Sequence, residues 1–269
     1  MHPILNIAIR IVRKVGAFIL QVYDSQSFAH HDQQNTISIV NTVIVKSEKI
    51  MVDMIKKFYP DHKILSTYNI REKFENNKIY WLINPLSGKI NFSKKIPYFC
   101  TSISIIINKK VEASVIYDPL QNELFTSVKG QGSKLNGFRT RCIQPYSIKN
   151  TIISINNNFI YTICTNNIYS EFLNQMNFDG IQIKCLGSLT LNLAYVSVGR
   201  TSGLICIQSP FLKILSGELQ IRESGGLINN FNSNMNIIQN NKETNMLDIV
   251  VGSSKLIKYV SEQISKIKK

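Results

Sequence analysis

The sequence predicts an α/β fold, with an α+β first lobe and an α/β second lobe, and three observations carry that reading. A strongly apolar run, Ile79-Tyr80-Trp81-Leu82-Ile83, reads as a buried strand feeding a loop at Asn84-Pro85-Leu86-Ser87-Gly88-Lys89. From Thr101 onward, strand patterns separated by Asn108-Lys109-Lys110 and Asp118-Pro119 form a meander. After Thr151, strands alternate with helical periods.

Taken in order, Met1 to Tyr23 is apolar but interrupted by Arg10, Arg13 and Lys14, so it reads as an amphipathic helix of a soluble protein rather than a membrane span. Its expected buried face is Ile4, Ala8, Ile11, Val15, Phe18 and Val22. His30 to Asn35 is expected as a polar loop, followed by a helix around Val43 to Phe58 that Tyr59-Pro60 ends. Lys63 to Thr67 is a short strand and Arg71 to Lys78 a charged loop. Asn84-Pro85 is expected to stop the organising strand and Gly88 to turn the chain, presenting Asn84, Ser87 and Lys89.

The meander strands are Ser102 to Ile107, Val111 to Tyr117 and Leu124 to Val128. Gly130-Gln131-Gly132 lies between strands rather than before a helix, so it serves a turn rather than a phosphate. Next come a strand at Thr151 to Ile155, a helix near Ile168 to Met176, a strand at Ile181 to Cys185 and a helix at Leu189 to Ser197. Gly203 to Ile207 and Leu247 to Val251 are strands, and Ser254 to Lys268 is a basic helix. Asn156 to Asn158 and Asn229 to Asn241 read as Asn-rich loops. No linker or repeat divides the chain, which reads as one unit over 1–269 with lobes of about 1–145 and 146–269.

At 269 residues with 44% hydrophobic content the chain can bury a full core. Five scattered cysteines without C-x-x-C spacing argue against a disulfide framework or zinc site and fit a reducing cytoplasm. The net charge of +14 has two readings: an anionic partner such as nucleic acid, or the Ile/Asn/Lys bias of an AT-rich bacterial genome. No basic cluster interleaved with aromatics resembles an RNA-reading module.

The stretch from Asn84 to Phe92 resembles the signature of the inositol monophosphatase superfamily, Asp-Pro-Leu-Asp-Gly-Thr-x-Asn-Phe. Pro85, Leu86, Gly88, Asn91 and Phe92 match. Tyr117-Asp118-Pro119, Glu123-Leu124-Phe125, Gly130 with Gly132, and Asn136-Gly137 extend the likeness, as does the helix ending in Gly199-Arg200. The resemblance implies a layered αβαβα sandwich over nearly the whole chain. It also implies hydrolysis of a phosphate monoester with Mg2+, which the family holds through carboxylates and the carbonyl at Leu86. The matched metal positions here are Thr67, Asn84, Leu86, Ser87 and Leu212, and Ile44 stands where an aspartate supports the attacking water. Cys206 replaces a glutamate that contacts the inositol ring. Since Mg2+ requires hard oxygen ligands, mainly carboxylates, these positions read as vestigial and the cofactor as lost. No catalytic residue is assigned.

Substitutes are weak. Asp53, Asp61, Asp118 and Glu123 suit solvated or turn-capping roles, Ser188 a helix cap, and His30-His31-Asp32 lacks further ligands. Random decay would also have broken the turn glycines and core periodicity, which remain coherent. Met1 to Ala8, the Tyr117 stretch and Leu193-Ala194-Tyr195-Val196 look most like a bacterial branch of the family whose members double as Nus factors. That implies a homodimeric, non-catalytic partner of NusA and RNA polymerase in the ribosomal RNA antitermination complex, close to rRNA and off the membrane. The alternative is a magnesium-dependent inositol-1-phosphatase with a weak or rebuilt site.

Overall fold

The computed structural model describes residues 3–25, 33–68, 74–75, 77–149, 151–156, 158–160, 167–230 and 246–267. Helix α1 (Pro3–Ser25) buries Ile4, Ala8, Ile11 and Val15, as their spacing requires. Beyond Gly16 the buried line moves by one residue, to Ile19 and Tyr23, leaving Phe18 and Val22 half-buried. An α-helix turns 3.6 residues at a time, so a stripe written in fours and threes drifts around it. Helix α2 (Gln33–Phe58) starts earlier than expected and takes in Gln33 to Asn35, while His30, His31 and Asp32 lie outside the described residues.

The first sheet follows the chain, β1 (Lys63–Ser66), β2 (Ile79–Ser87), β3 (Cys100–Ile107), β4 (Lys110–Asp118), β5 (Glu123–Val128), β6 (Gly132–Leu135) and β7 (Phe138–Thr140), in that spatial order. Every pair from β2 onward is antiparallel, short turns joining the strands from β3 on, and β1 alone runs parallel to β2. Asn136-Gly137 closes the last hairpin with φ of 49° and 89°, the left-handed pair that a two-residue turn demands.

Strand β2 does not stop at Asn84-Pro85. It runs to Ser87, with a register shift against β3 between Asn84, opposite Ser102, and Ser87, opposite Cys100. Partner β1 has already ended, at Ser66 opposite Ile83, so Pro85 enters at a bulge with no ladder bond to supply. Gly88, at φ 94°, then turns the chain into a five-residue helix, α3 (Lys89–Ser93), where a plain loop was expected. A Cβ at Gly88 would stand 2.7 Å from the Tyr98 carbonyl oxygen.

The second sheet has the order β11-β12-β10-β8-β9. In chain order its elements are β8 (Ile152–Ile155), α4 (Asn167–Phe178), β9 (Gln182–Lys184), α5 (Leu189–Ser197), β10 (Gly203–Pro210), α6 (Phe211–Glu223), β11 (Leu227–Asn230), β12 (Met246–Gly252) and α7 (Ser254–Ile267). Strand β11 claims Asn229 and Asn230 from the expected Asn-rich loop, because both pair with β12. Strand β10 overruns its expected end at Ile207 through a bulge between Cys206 and Ser209.

Helices α1 and α2 cover the outer face of the first sheet, α5 and α6 lie between the sheets, and α7, packed with α4, covers the far face of the second. The result is the αβαβα sandwich. Its central position explains α6, which is buried almost all round from Leu212 to Ile221 and must therefore satisfy its polar groups internally. Ser133 Oγ donates to Gln220 Oε1 at 2.8 Å, Ser114 Oγ donates to the Ser216 carbonyl at 3.2 Å, and Glu218 pairs with Arg222 at 2.7 Å. Among the described residues no helix is long and apolar enough to cross a membrane. Cys100, Cys142 and Cys206 are free thiols, all three buried.

Candidate functional site: a cleft between the sheets

The end of β2, the start of α5, the bulged end of β10 and the first turn of α6 converge on a cleft of about 240 Å3. Of the residues matched to the family's metal positions, Asn84, Leu86 and Ser87 line it, with Lys89 beside them. Asn84 is 2% exposed, and its Nδ2 donates to Thr190 Oγ1 at 3.1 Å. The Leu86 carbonyl accepts from the Tyr68 hydroxyl, which burial holds neutral by raising its pKa far above the usual phenol range. Asn91 ties the motif to the turn before α5, donating to the carbonyls of Tyr98 at 2.8 Å and Leu186 at 2.7 Å.

Thr67, Leu212 and Cys206 are placed elsewhere. Thr67 is 5% exposed and its N–H bonds the Ile83 carbonyl at 3.0 Å, but it does not line the cleft. Leu212 packs into an apolar cluster with Leu65, Tyr80, Leu82, Leu215 and Leu219. Cys206 sits fully buried beside Leu193, Val196 and Ile249, where desolvation pushes its thiol up to about 12. Ile44 belongs to the core under α1 and α2. None of these four side chains lines the cleft.

Ser188 stands where a cap was expected, with extended backbone at the start of α5, but its hydroxyl makes no capping bond. It donates instead to Ser87 Oγ at 2.9 Å, because the bulge at the end of β2 brings that oxygen within reach. Asp118 does cap its turn, with Oδ1 accepting from the N–H groups of Leu120 at 3.0 Å and Gln121 at 3.1 Å. It is fully buried rather than solvated, and desolvation raises its pKa to about 6. Glu123 pairs with Arg200 through both oxygens. Asp53 and Asp61 are exposed. The N–H groups of Gly130 and Gly132 donate to the Glu223 carboxylate at 2.8 and 2.7 Å, in keeping with a turn rather than a phosphate cradle.

Sequence reasoning missed the other half of the cleft: Tyr68, Asn156, Asn158, Asn192, Gln208, Ser209 and Lys213. Asn156 locks the bulge of β10, accepting from Ile207 N–H at 3.1 Å and donating to the Ile207 carbonyl at 2.7 Å and Ser209 Oγ at 3.1 Å. Lys213 directly follows the matched pair Phe211-Leu212, and a cation within the otherwise apolar opening Phe211-Leu212-Lys213-Ile214-Leu215 of the helix was the available signal. Burial first, and then the charge of Lys89, lower its pKa. Lys89 itself lies over the Tyr68 ring, 5.1 Å from the centroid. Among the described residues neither lysine forms an ion pair.

This donor set does not suit Mg2+. At the matched metal positions the cleft offers only a carboxamide, a hydroxyl and a carbonyl already engaged by Tyr68; its other polar lining groups are neutral amides and hydroxyls, and two lysines line the same space. Glu48 comes near from α2, but its carboxylate accepts from Ser66 Oγ at 3.0 Å and does not line the cleft. Among the described residues no group of three His, Cys, Asp or Glu side chains could hold a metal ion.

The profile of the inositol monophosphatase family matches residues 1–265. The chain belongs to the inositol monophosphatase family. Within it, the chain is 41% identical to the Nus factor SuhB of Buchnera aphidicola from Acyrthosiphon pisum, over 98% of each chain. It is 33% identical to the Nus factor SuhB of Escherichia coli K12, over 96% of this chain and 94% of that one. The fold is similar to a crystal structure of the extragenic suppressor protein SuhB from Bartonella henselae, with a TM-score of 0.82 at 23% identity over 98% of both chains. It is also similar to an inositol monophosphatase from Anabaena, at a TM-score of 0.77 and 24% identity over 98% of this chain and 95% of that one.

Proposed function

We propose that this member of the inositol monophosphatase family is a non-catalytic Nus factor. In this reading it is a cytoplasmic homodimer that joins NusA and RNA polymerase in the ribosomal RNA antitermination complex. There it supports rRNA synthesis, folding and ribosome biogenesis close to the nascent rRNA. The observation that carries the reading is the cleft itself, which holds two lysines and no carboxylate in a sandwich whose turns and core are intact. Phosphate ester hydrolysis in this family's manner needs a metal to activate water and stabilise the leaving oxygen, and Asn84, Ser87 and the buried Leu212 supply no means to hold one. Relatives named Nus factor SuhB support the assignment to the transcription machinery.

The test is capture by the tagged full chain from native cytoplasm, followed by reconstitution with purified NusA and RNA polymerase. Specific association that survives moderate salt is expected, together with inositol-1-phosphate turnover at background in millimolar magnesium. Indifferent binding to duplex DNA, RNA and polymerase that vanishes at moderate salt would reduce the +14 charge to non-specific attraction and defeat the proposal. So would turnover within about a hundredfold of metal-using relatives, since one or two lost electrostatic contacts account for that much.

A further inference from the structure

We infer that the free edge of the first sheet and the strap that follows it, from Lys134 to Tyr146, form a contact surface for single-stranded RNA, separate from the cleft. Between Glu123 and Glu171 the chain carries no Asp or Glu, while Lys134, Arg139 and Arg141 fall inside that run. The fold gathers them. Lys134 on β6 stands directly opposite Arg139 on β7, a like-charge pair that costs the hairpin stability until an anion lies between them, and Arg141 follows just beyond the strand. All three are exposed, and among the described residues none forms an ion pair. The carboxylates of the neighbouring elements are engaged elsewhere. Glu223 accepts from the N–H groups of Gly130 and Gly132, while Glu112, Glu123 and Glu218 pair with Lys129, Arg200 and Arg222.

Two aromatic rings accompany these cations. Phe138 is 80% exposed and Tyr146 99%. Single exposed apolar side chains are ordinary, and cations on an edge strand keep other strands away, but a bare phenylalanine on the same edge works against that guard. Cations beside open rings suit a single strand, whose phosphates follow the charge while its bases stack on the rings. The strap is pinned. Cys142 is buried and its N–H bonds the Ser224 carbonyl at 2.9 Å, and Pro145 is buried. Lys255 Nζ donates to the Tyr146 carbonyl at 3.2 Å and lies 5.7 Å from the centre of its ring. Arg141 and Tyr146 are therefore held outward in advance, and binding spends little on ordering them. Among the described residues no strand pairs with the outer edge of β7, which leaves backbone N–H groups there to donate to phosphate oxygens. Charge and ring faces read no base edge, so the contact tolerates any sequence. RNA as the ligand rests on the proposed Nus-factor role.

The experiment titrates the full chain into a labelled oligouridylate of about twelve nucleotides, within the usual site size for such surfaces, and reads fluorescence anisotropy over a series of salt concentrations. Saturable binding is expected, with a log–log salt slope of about −2, as about three phosphates on a single strand require. Arg139→Gln and Arg141→Gln should each reduce the slope by about 0.7. Phe138→Ala and Tyr146→Ala should each weaken binding about tenfold by removing a stacked base, and Phe138→Tyr should retain it. Lys57→Gln, on the exposed end of α2, should change nothing. The substituted side chains are all exposed, so the variants should melt with the wild type. Duplex RNA, whose bases cannot reach the rings, should bind about tenfold more weakly or less. Absence of saturation at low salt overturns the inference, as does binding indifferent to the Phe138 and Arg139 changes or equal for duplex and single strand. Polyglutamate that competes as well as the RNA would make this a surface for acidic protein segments and overturn it too. NusA capture is read on the same preparations. Capture without RNA binding defeats this surface alone, and RNA binding without capture defeats the Nus-factor assignment alone.

Discussion

Trp81 Nε1 donates a hydrogen bond to Nδ1 of His62 at 2.9 Å, fastening the centre of β2 to the turn that follows α2. Tyr59 stacks on the imidazole at 4.7 Å, and Lys56 Nζ holds the His62 carbonyl at 2.8 Å. Burial, ahead of attraction by Asp61 and repulsion by Lys56, lowers the pKa of His62. Protonation would place a hydrogen on Nδ1 and break the bond from the indole. A histidine with a lowered folded pKa contributes stability above its unfolded pKa of about 6.5, and that contribution is lost as pH falls through the folded value. Fluorescence of Trp81, the sole tryptophan, should therefore titrate below neutral pH while the chain remains folded. His62→Phe should remove the step, and a wild-type signal flat from pH 7.5 to 5 would contradict the coupling.

Asp118 runs in the opposite direction. Its folded pKa of about 6 lies above the usual carboxylate value, so its contribution is complete at acid pH and is lost as pH rises from about 4 through about 6. Its Oδ2 is buried without a hydrogen-bond partner, while Oδ1 serves the turn. Asp118→Asn preserves the Oδ1 acceptor and removes the buried charge. The variant should be more stable than wild type at pH 8, by up to about 3 kcal/mol for a shift of about two pH units, and the gap should close near pH 4. Paired denaturant titrations at the two pH values measure it.

Magnesium should not stabilise this chain. A ligand that binds the folded state alone adds RT ln(1 + [L]/Kd), about 2.7 kcal/mol at a hundredfold excess. With Asn84 and Ser87 neutral and Lys89 and Lys213 facing the cleft, melting curves in chelator and in millimolar magnesium should coincide, once sodium chloride matches the ionic strength. A saturating rise specific to magnesium would revive the phosphatase reading.

Restoring one family carboxylate should harm the chain instead of activating it. Leu212 is 6% exposed in its apolar cluster, so Leu212→Asp loses about 2–5 kcal/mol of apolar packing and adds the cost of desolvating a carboxylate. Reduced stability by urea titration, with no gain in inositol-1-phosphate hydrolysis, is the expected outcome. A stable variant that turns over substrate would show that Leu212 remains poised toward the cleft.

The regular elements were legible because their signals are local. Helix α5 runs from Leu189 to Ser197 as its start at Gly187-Ser188 and end at Gly199 indicate, and the meander follows its turn residues. Pro85 misled because its rule concerns a missing ladder bond, and whether a ladder exists at that point depends on where β1 ends. The Ser188 cap failed similarly, since Ser87 lies 101 residues earlier in the chain and competes for the same hydroxyl.

From the sequence alone follow the α/β class, the family's scaffold around Pro85, Leu86, Gly88, Asn91 and Phe92, and the absence of carboxylates at the matched metal positions, because residue identity and short-range periodicity are written in the chain itself. Only the tertiary structure decided that Thr67, Cys206 and Leu212 withdraw into the core, and that Lys213 swings in beside Lys89. Those outcomes depend on two bulges and on a helix packed between two sheets, which bring together side chains more than a hundred residues apart.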